Sequence, residues 1–168
     1  MARYRYLVFL QLVFMTGQVK AADITIQGQV VSTPCIVDVD TQSKHIELGK
    51  VISHNLKERG SGSNWTDFHL LLSSCAADLL NVTATFTGMP NENSADTYKN
   101  QGTARDVSLQ MTSADHRTIY GTGSSMTVNI DGVTHKAKFP LSARIVSPAG
   151  DAKGGTFSAA VSVHFIYQ

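Results

Sequence analysis

The chain has 168 residues, 14 of them basic and 13 acidic, with 42% hydrophobic and 16% charged residues. This is the length of one domain, and the low charge content excludes disorder driven by charge excess. A formal charge of +1 leaves no electrostatic footprint for nucleic acid, and two cysteines are too few for a disulfide-dense mini-protein or a four-cysteine zinc site.

Met1 to Arg5 is a short positive start, Tyr6 to Thr16 an apolar run, and Gly17 to Ala21 small and polar. Val19 and Ala21 stand at −3 and −1 of a cut before Ala22, the pattern of a secretory signal peptide over residues 1–21. The competing readings are a buried N-terminal helix and an uncleaved anchor; Gln11 and a run shorter than the ~20 residues of a bilayer span argue against the anchor. Cleavage leaves 168 − 21 = 147 residues and removes Arg3, Arg5 and Lys20, so 11 basic and 13 acidic groups give −2. Export also bears on Cys35 and Cys75, the whole cysteine inventory, because an oxidising compartment favours pairing them. No CxxC or Cys-x-His spacing supports a metal pair instead.

In the mature chain, Ile24, Ile26, Gly28 and Val30 share one parity of ADITIQGQVV, which predicts an extended strand. Pro34 interrupts it, Ile36 to Val39 resumes it, and His45 to Gly49 is a further short strand. Leu56 to Asn64 is a polar loop. Strands are expected over Asp67–Ser74, with Phe68, Leu70 and Leu72 on one face, and along Leu80, Val82, Ala84 and Phe86. Gly88 to Arg105 is a long polar connection, and Val107, Leu109 and Met111 alternate after it. Thr127–Ile130 and Val133–Phe139 flank Asp131-Gly132, a strong hairpin signal. Phe139, Leu141, Ala143 and Ile145 share one face, and Ser147 to Asp151 is turn chemistry. The last strand, Gly155 to Tyr167, carries Phe157, Ala159, Val161, Val163, Phe165 and Tyr167 on one face. No stretch is convincingly helical, and seven or so such strands predict an all-β sandwich.

Two strand ends fit a self-contained sandwich poorly. One is the alternating strand ahead of Cys35, where termini are usually frayed. The other is the apolar strand that runs to the last residue, an aggregation hazard unless covered. Strand addition between chains accounts for both; pairing of the first strand within its own sheet is the alternative.

These residues reach a family. The segment ADITI at the mature start, Gly28 seven residues before Cys35, the Pro34-Cys35 pair and the IELG segment resemble the pilin subunits of chaperone–usher fimbriae. So do Cys75, the YKNQGTA stretch (Tyr98–Ala104), Phe139-Pro-Leu141, Gly155 fourteenth from the end and the penultimate Tyr167; the nearest likeness is to type 1-like minor subunits. The resemblance implies an incomplete immunoglobulin-like β-sandwich over 33–168, one strand short, preceded by a donor-strand extension over 22–32. It implies that a periplasmic fimbrial chaperone lends a strand to the resulting groove, and that at the outer-membrane usher the next subunit's extension replaces it. Ile24, Ile26, Gly28 and Val30 would be the donor face. Gly155, Phe157, Ala159, Val161, Val163, Phe165 and Tyr167 would form the acceptor groove and meet the chaperone, and the Gln168 carboxylate would be held by basic chaperone residues. The short extension points to a minor or adaptor subunit of a cell-surface fimbrium that supports adhesion.

Little else carries chemistry. His45, His54, His69, His116, His135 and His164 are scattered singly, without metal-ligand spacing. The Ser124-Ser125 stretch lacks a nucleophile elbow, and Gly60-Ser-Gly62 lacks the Lys-Ser/Thr of a phosphate loop. Asn64 and Asn81 match glycosylation acceptors that a bacterial setting leaves inert, and Trp65 reads as a packing residue ahead of a sugar platform. The sequence therefore predicts no enzyme activity and no cofactor. A stand-alone immunoglobulin-like adhesin or lectin is the alternative, followed by a periplasmic β-sandwich enzyme.

Overall fold

In the computed structural model, residues 34–168 are described; the expected signal peptide and the donor positions Ile24, Ile26, Gly28 and Val30 lie outside them. The described residues form two antiparallel sheets. The larger joins β1 (Ile36–Val37), β2 (Thr66–Ser73), β4 (Pro90–Asn91), β5 (Ser94–Lys99), β6 (Ser108–Ser113) and β8 (Ala137–Val146) in the order β1-β2-β8-β6-β5-β4. The smaller joins β3 (Asn81–Gly88), β7 (Ser125–Asn129) and β9 (Val161–Tyr167) in the order β7-β3-β9.

Alternation delivers the core as the side-chain period of two requires. Leu70 and Leu72 of β2, Val82, Ala84 and Phe86 of β3, and Phe139, Leu141 and Ala143 of β8 are all buried between the sheets. The Cys35–Cys75 disulfide is formed, with an S–S distance of 2.08 Å, and both cysteines belong to this core. It ties the start of the described chain to the turn between β2 and β3. A smaller cluster of Leu56, Val107, Ile145 and Ala152 closes the other end.

Several expectations change. Beyond Val37 the strand stops, because the Asp38 carboxylate accepts from Asp40 N–H at 3.2 Å and starts the single helical turn α1 (Val39–Gln42). His45–Gly49 keeps its alternation, with Lys44, Ile46 and Leu48 half-buried, but belongs to neither sheet. The predicted polar loop from Leu56 begins inside a 3₁₀ turn (Ser53–Leu56) that buries Leu56. The long polar connection contains β4 and β5; polar spacing hid β5, yet its Tyr98 is buried, which pushes the phenol up to about 12. Leu80 falls just before β3 and is 73% exposed.

Asp131-Gly132 does turn the chain, closed by a bridge between Asp131 and Lys136, but β7 and β8 then diverge into different sheets. The Asp131 carboxylate accepts from Val133 N–H at 2.9 Å and Thr134 N–H at 2.8 Å. Those bonds, the Thr134 ones foremost, hold its carboxyl below the usual range. Val133, expected in a strand, stands at the tip of this turn. The last predicted strand is ladder-paired only over Val161–Tyr167; Gly155 to Ala160 is bonded elsewhere, as described next.

Candidate functional site

The mismatch in strand number creates the site. Among the described residues, three strands cannot cover the inner face of six, and β9 lies at an edge of its sheet, paired there with β3 alone. The inward side chains of β3 are fully buried, whereas those of its neighbour β9, namely Val161, Val163, Phe165 and Tyr167, are only half-buried. A groove of about 1310 Å³ runs alongside Val161, Val163 and Phe165.

Of the predicted acceptor residues, Gly155, Phe157, Ala159, Val161, Val163 and Phe165 all line the groove. Tyr167 does not; it packs instead against the main core. Phe165 meets Phe139 at 5.6 Å in a tilted contact, forming floor between the sheets. The opposite wall is not evident from sequence. It consists of Phe68 and Leu70 of β2, Leu109 and Met111 of β6, and Leu141 and Ala143 of β8. The signal is present, since these are the same-parity apolar residues of their strands, but parity alone does not say which inward residues are left uncovered. The segment from Lys44 to Val51 forms a further rim. Among the described residues, no backbone-to-backbone hydrogen bond reaches positions 43–51. Among the described residues, then, a rim without backbone partners lies on one side and the β9 edge that pairs with no other strand on the other, the kind of borders strand addition uses.

The groove's upper border is built by a clasp between Asn100–Ala104 and Thr156–Ser158. Gln101 N–H donates to Ser158 C=O at 2.7 Å and Ala104 N–H to Thr156 C=O at 3.0 Å. The Asn100 side-chain oxygen accepts from Gly102 N–H and Ser158 N–H, both at 2.9 Å, while its amide donates to Ala104 C=O at 2.8 Å. Thr103 and Thr156 exchange backbone-to-hydroxyl bonds at 3.0 and 2.9 Å. This is the structural content of the YKNQGTA stretch, and it explains Gly155. A Cβ there would overlap the Ala104 nitrogen and approach the Thr103 carbonyl carbon to 2.6 Å, all backbone atoms. Gly155→Ala is therefore expected to cost about 1–3 kcal/mol and to open the clasp. Faster amide exchange at Gln101 and Ala104 in the variant is the readout; unchanged protection there would refute the assignment.

Other candidates are satisfied locally. The Trp65 ring is stacked on His116 at 4.4 Å, with the Arg144 guanidinium 4.3 Å from its centroid. Arg144 Nε donates to Gln110 at 2.7 Å, and burial holds its pKa below the ordinary value. Trp65 is thus occupied by the protein's own side chains, a packing residue as expected. Asp67 accepts from the Ser142 hydroxyl, and His69 and His164 point away from the core as their parity predicts. Among the described residues no cluster of three His, Cys, Asp or Glu side chains could hold a metal ion.

The sequence and fold match known proteins over nearly their whole length. The family model described as "Fimbrial protein" matches residues 24–168. Protein FimG of Escherichia coli (strain K12) is 35% identical over 165 residues, covering 97% of this chain and 96% of that protein. The fimbrial-like protein YdeR of the same strain is 34% identical over 166 residues, covering 98% and 96%. Among solved structures, the P pilus rod subunit PapA is similar with a TM-score of 0.67 at 18% identity, covering 81% of this chain and all of that one. A chain from a chaperone–usher pilus structure gives 0.67 at 20% identity, covering 94% and 100%. The chain belongs to the fimbrial protein family and is a fimbrial subunit with the incomplete immunoglobulin-like sandwich of chaperone–usher pilins.

Proposed function

We propose that this subunit polymerises by donor-strand exchange, its groove filled first by a periplasmic chaperone strand and then, at an outer-membrane usher, by the extension of the next subunit. Residues 1–21 are the export signal in this reading. Residues 22–32 are this chain's own donor, with Ile24, Ile26, Gly28 and Val30 entering the groove of the preceding subunit. The observation that carries the reading is the half-buried inner face of β9 beside a groove whose borders have no backbone partners among the described residues. Main-chain bonds along both borders supply affinity, and alternate side chains set the register. Three or four aliphatic donor side chains, at about 1.5–3 kcal/mol each when fully buried, supply the drive. The role is structural, at the cell surface, with no catalytic step. The short extension supports a minor or adaptor position in the fibre, where the subunit links others and so supports adhesion.

The test pairs the two halves of the exchange. A synthetic peptide that carries the alternating aliphatic residues of a donor extension is expected to raise the melting temperature of the mature subunit. Ile26→Asp is expected to leave that melting unchanged and yet abolish incorporation of the subunit into fibres, because a carboxylate would enter an apolar groove. A subunit indifferent to every such peptide, together with normal incorporation of the Ile26→Asp chain, would overturn the proposal.

A further inference from the structure

The end of the sandwich where the described chain begins carries two exposed aliphatic side chains that the groove does not use. Leu80 is 73% exposed and Val133 is 91% exposed. Backbone bonds place them together with the chain's entry point. Cys35 is bonded to Cys75, and Cys75 N–H donates to His135 C=O at 3.0 Å. Ile130 N–H donates to Leu80 C=O at 2.9 Å, just ahead of the Asp131–Lys136 turn whose tip is Val133. That turn is braced, since Asp131 takes the Val133 and Thr134 amides on its carboxylate and His135 N–H on its carbonyl at 2.8 Å. Val133 is therefore presented at little further entropic cost on contact.

From this we infer that Leu80 and Val133 form a second junction with the body of the preceding subunit, beside the mouth of the groove that receives residues 22–32. The inference rests on the donor reading above. Its independent support is the length of the tether. Val30, the last donor position, is four residues from Pro34, where the described chain starts. Four extended residues span at most about 13–14 Å. With Val30 seated in a groove, the end of the sandwich that bears Leu80 and Val133 is held against the groove's mouth. A tether this short gives an effective concentration on the order of millimolar, so a contact of two aliphatic side chains too weak to form between free subunits is populated within the fibre. The partner surface it fits is apolar and uncharged, lying next to the point where a donor strand leaves the groove.

Photo-crosslinking on assembled fibres separates this junction from the donor strand. Full-length chains carrying Ile26→p-benzoylphenylalanine, Val133→p-benzoylphenylalanine or Leu80→p-benzoylphenylalanine are incorporated in cells that make the fibre. After irradiation, the crosslinked peptides are identified by mass spectrometry. The Thr127 position, on the outer face of the three-stranded sheet, is the control. The Ile26 and Val133 probes are expected to capture the same neighbouring subunit, Ile26 inside its groove and Val133 beside the mouth. Thr127 is expected to give several-fold less of that adduct. Leu80→Asp is expected to lower the Val133 yield several-fold and leave the Ile26 yield unchanged. If Ile26 captures a subunit while Val133 and Leu80 capture nothing, or capture a different protein, the junction is wrong and the donor reading stands. If Ile26 captures no subunit, both fall.

Discussion

Replacing Cys35 and Cys75 together by serine is expected to lower the stability of the subunit by about 4 kcal/mol. The bond spans 40 residues of sequence, and releasing a loop of that size restores most of the conformational entropy that the link removes from the unfolded chain. Serine nearly preserves volume, but both cysteines are buried, so two hydroxyls with no assured partners add to the loss. The effect is local as well as global. The bond fixes where the chain enters the sandwich, beside the turn between β2 and β3, and so fixes where a donor extension would leave. Denaturant unfolding of oxidised wild type against the double variant, both with a donor peptide bound, measures the difference. Equal midpoints would mean that the disulfide does not constrain the folded unit.

Val163→Asp is expected to leave the free subunit folded and to abolish its capture of a donor strand. Val163 lies on β9 opposite Phe86 and lines the groove, half-exposed. In the free subunit an aspartate there keeps access to water, so the cost is about 1–2 kcal/mol of lost apolar burial. Once a strand fills the groove, the carboxylate is buried against apolar neighbours without a partner, a penalty of several kcal/mol that falls on the complex alone. The peptide-induced rise in melting temperature should vanish. His164→Asp, one residue on and on the opposite face, should retain it. This pair tests parity as well as position: equal responses from the two variants would mean that β9 does not present this face to the donor. Val163→Ala should weaken binding without abolishing it, because it removes contact and adds no charge.

The parity of β9 was legible from the sequence because a strand's side chains alternate whatever surrounds them. The same holds for β2, β3 and β8, whose apolar residues went where alternation put them. The failures share a cause. Asp131-Gly132 makes the turn it predicts, but a turn signal reports only local backbone geometry. Whether β7 and β8 then stay paired depends on which sheet each side chain set can bury against. Ser94–Lys99 reads as loop because it is almost wholly polar, and the two residues it buries, Thr97 and Tyr98, each carry a hydroxyl. Residues 45–49 alternate in burial like a strand, yet pairing is a property of two segments, and what lies beside them is the groove.

The amino-acid sequence by itself determined that the chain is all-β and which face of the last strand is apolar; it favoured pairing Cys35 with Cys75, and the structure shows that bond. It also carried the family through the glycine, cysteine and tyrosine positions. These are consequences of covalent chemistry and period-two geometry, which act within a strand. Only the tertiary structure decided that, among the described residues, three strands lie over six, that the β9 face is left half-covered, and that Phe68, Met111 and Leu141 complete the groove. The clasp from Asn100 to Ala104, which explains Gly155, and the placing of Leu80 and Val133 at the chain's entry point belong there too. Burial is a relation between segments distant in sequence, so the uncovered face of a strand is defined only when every other strand has taken its place.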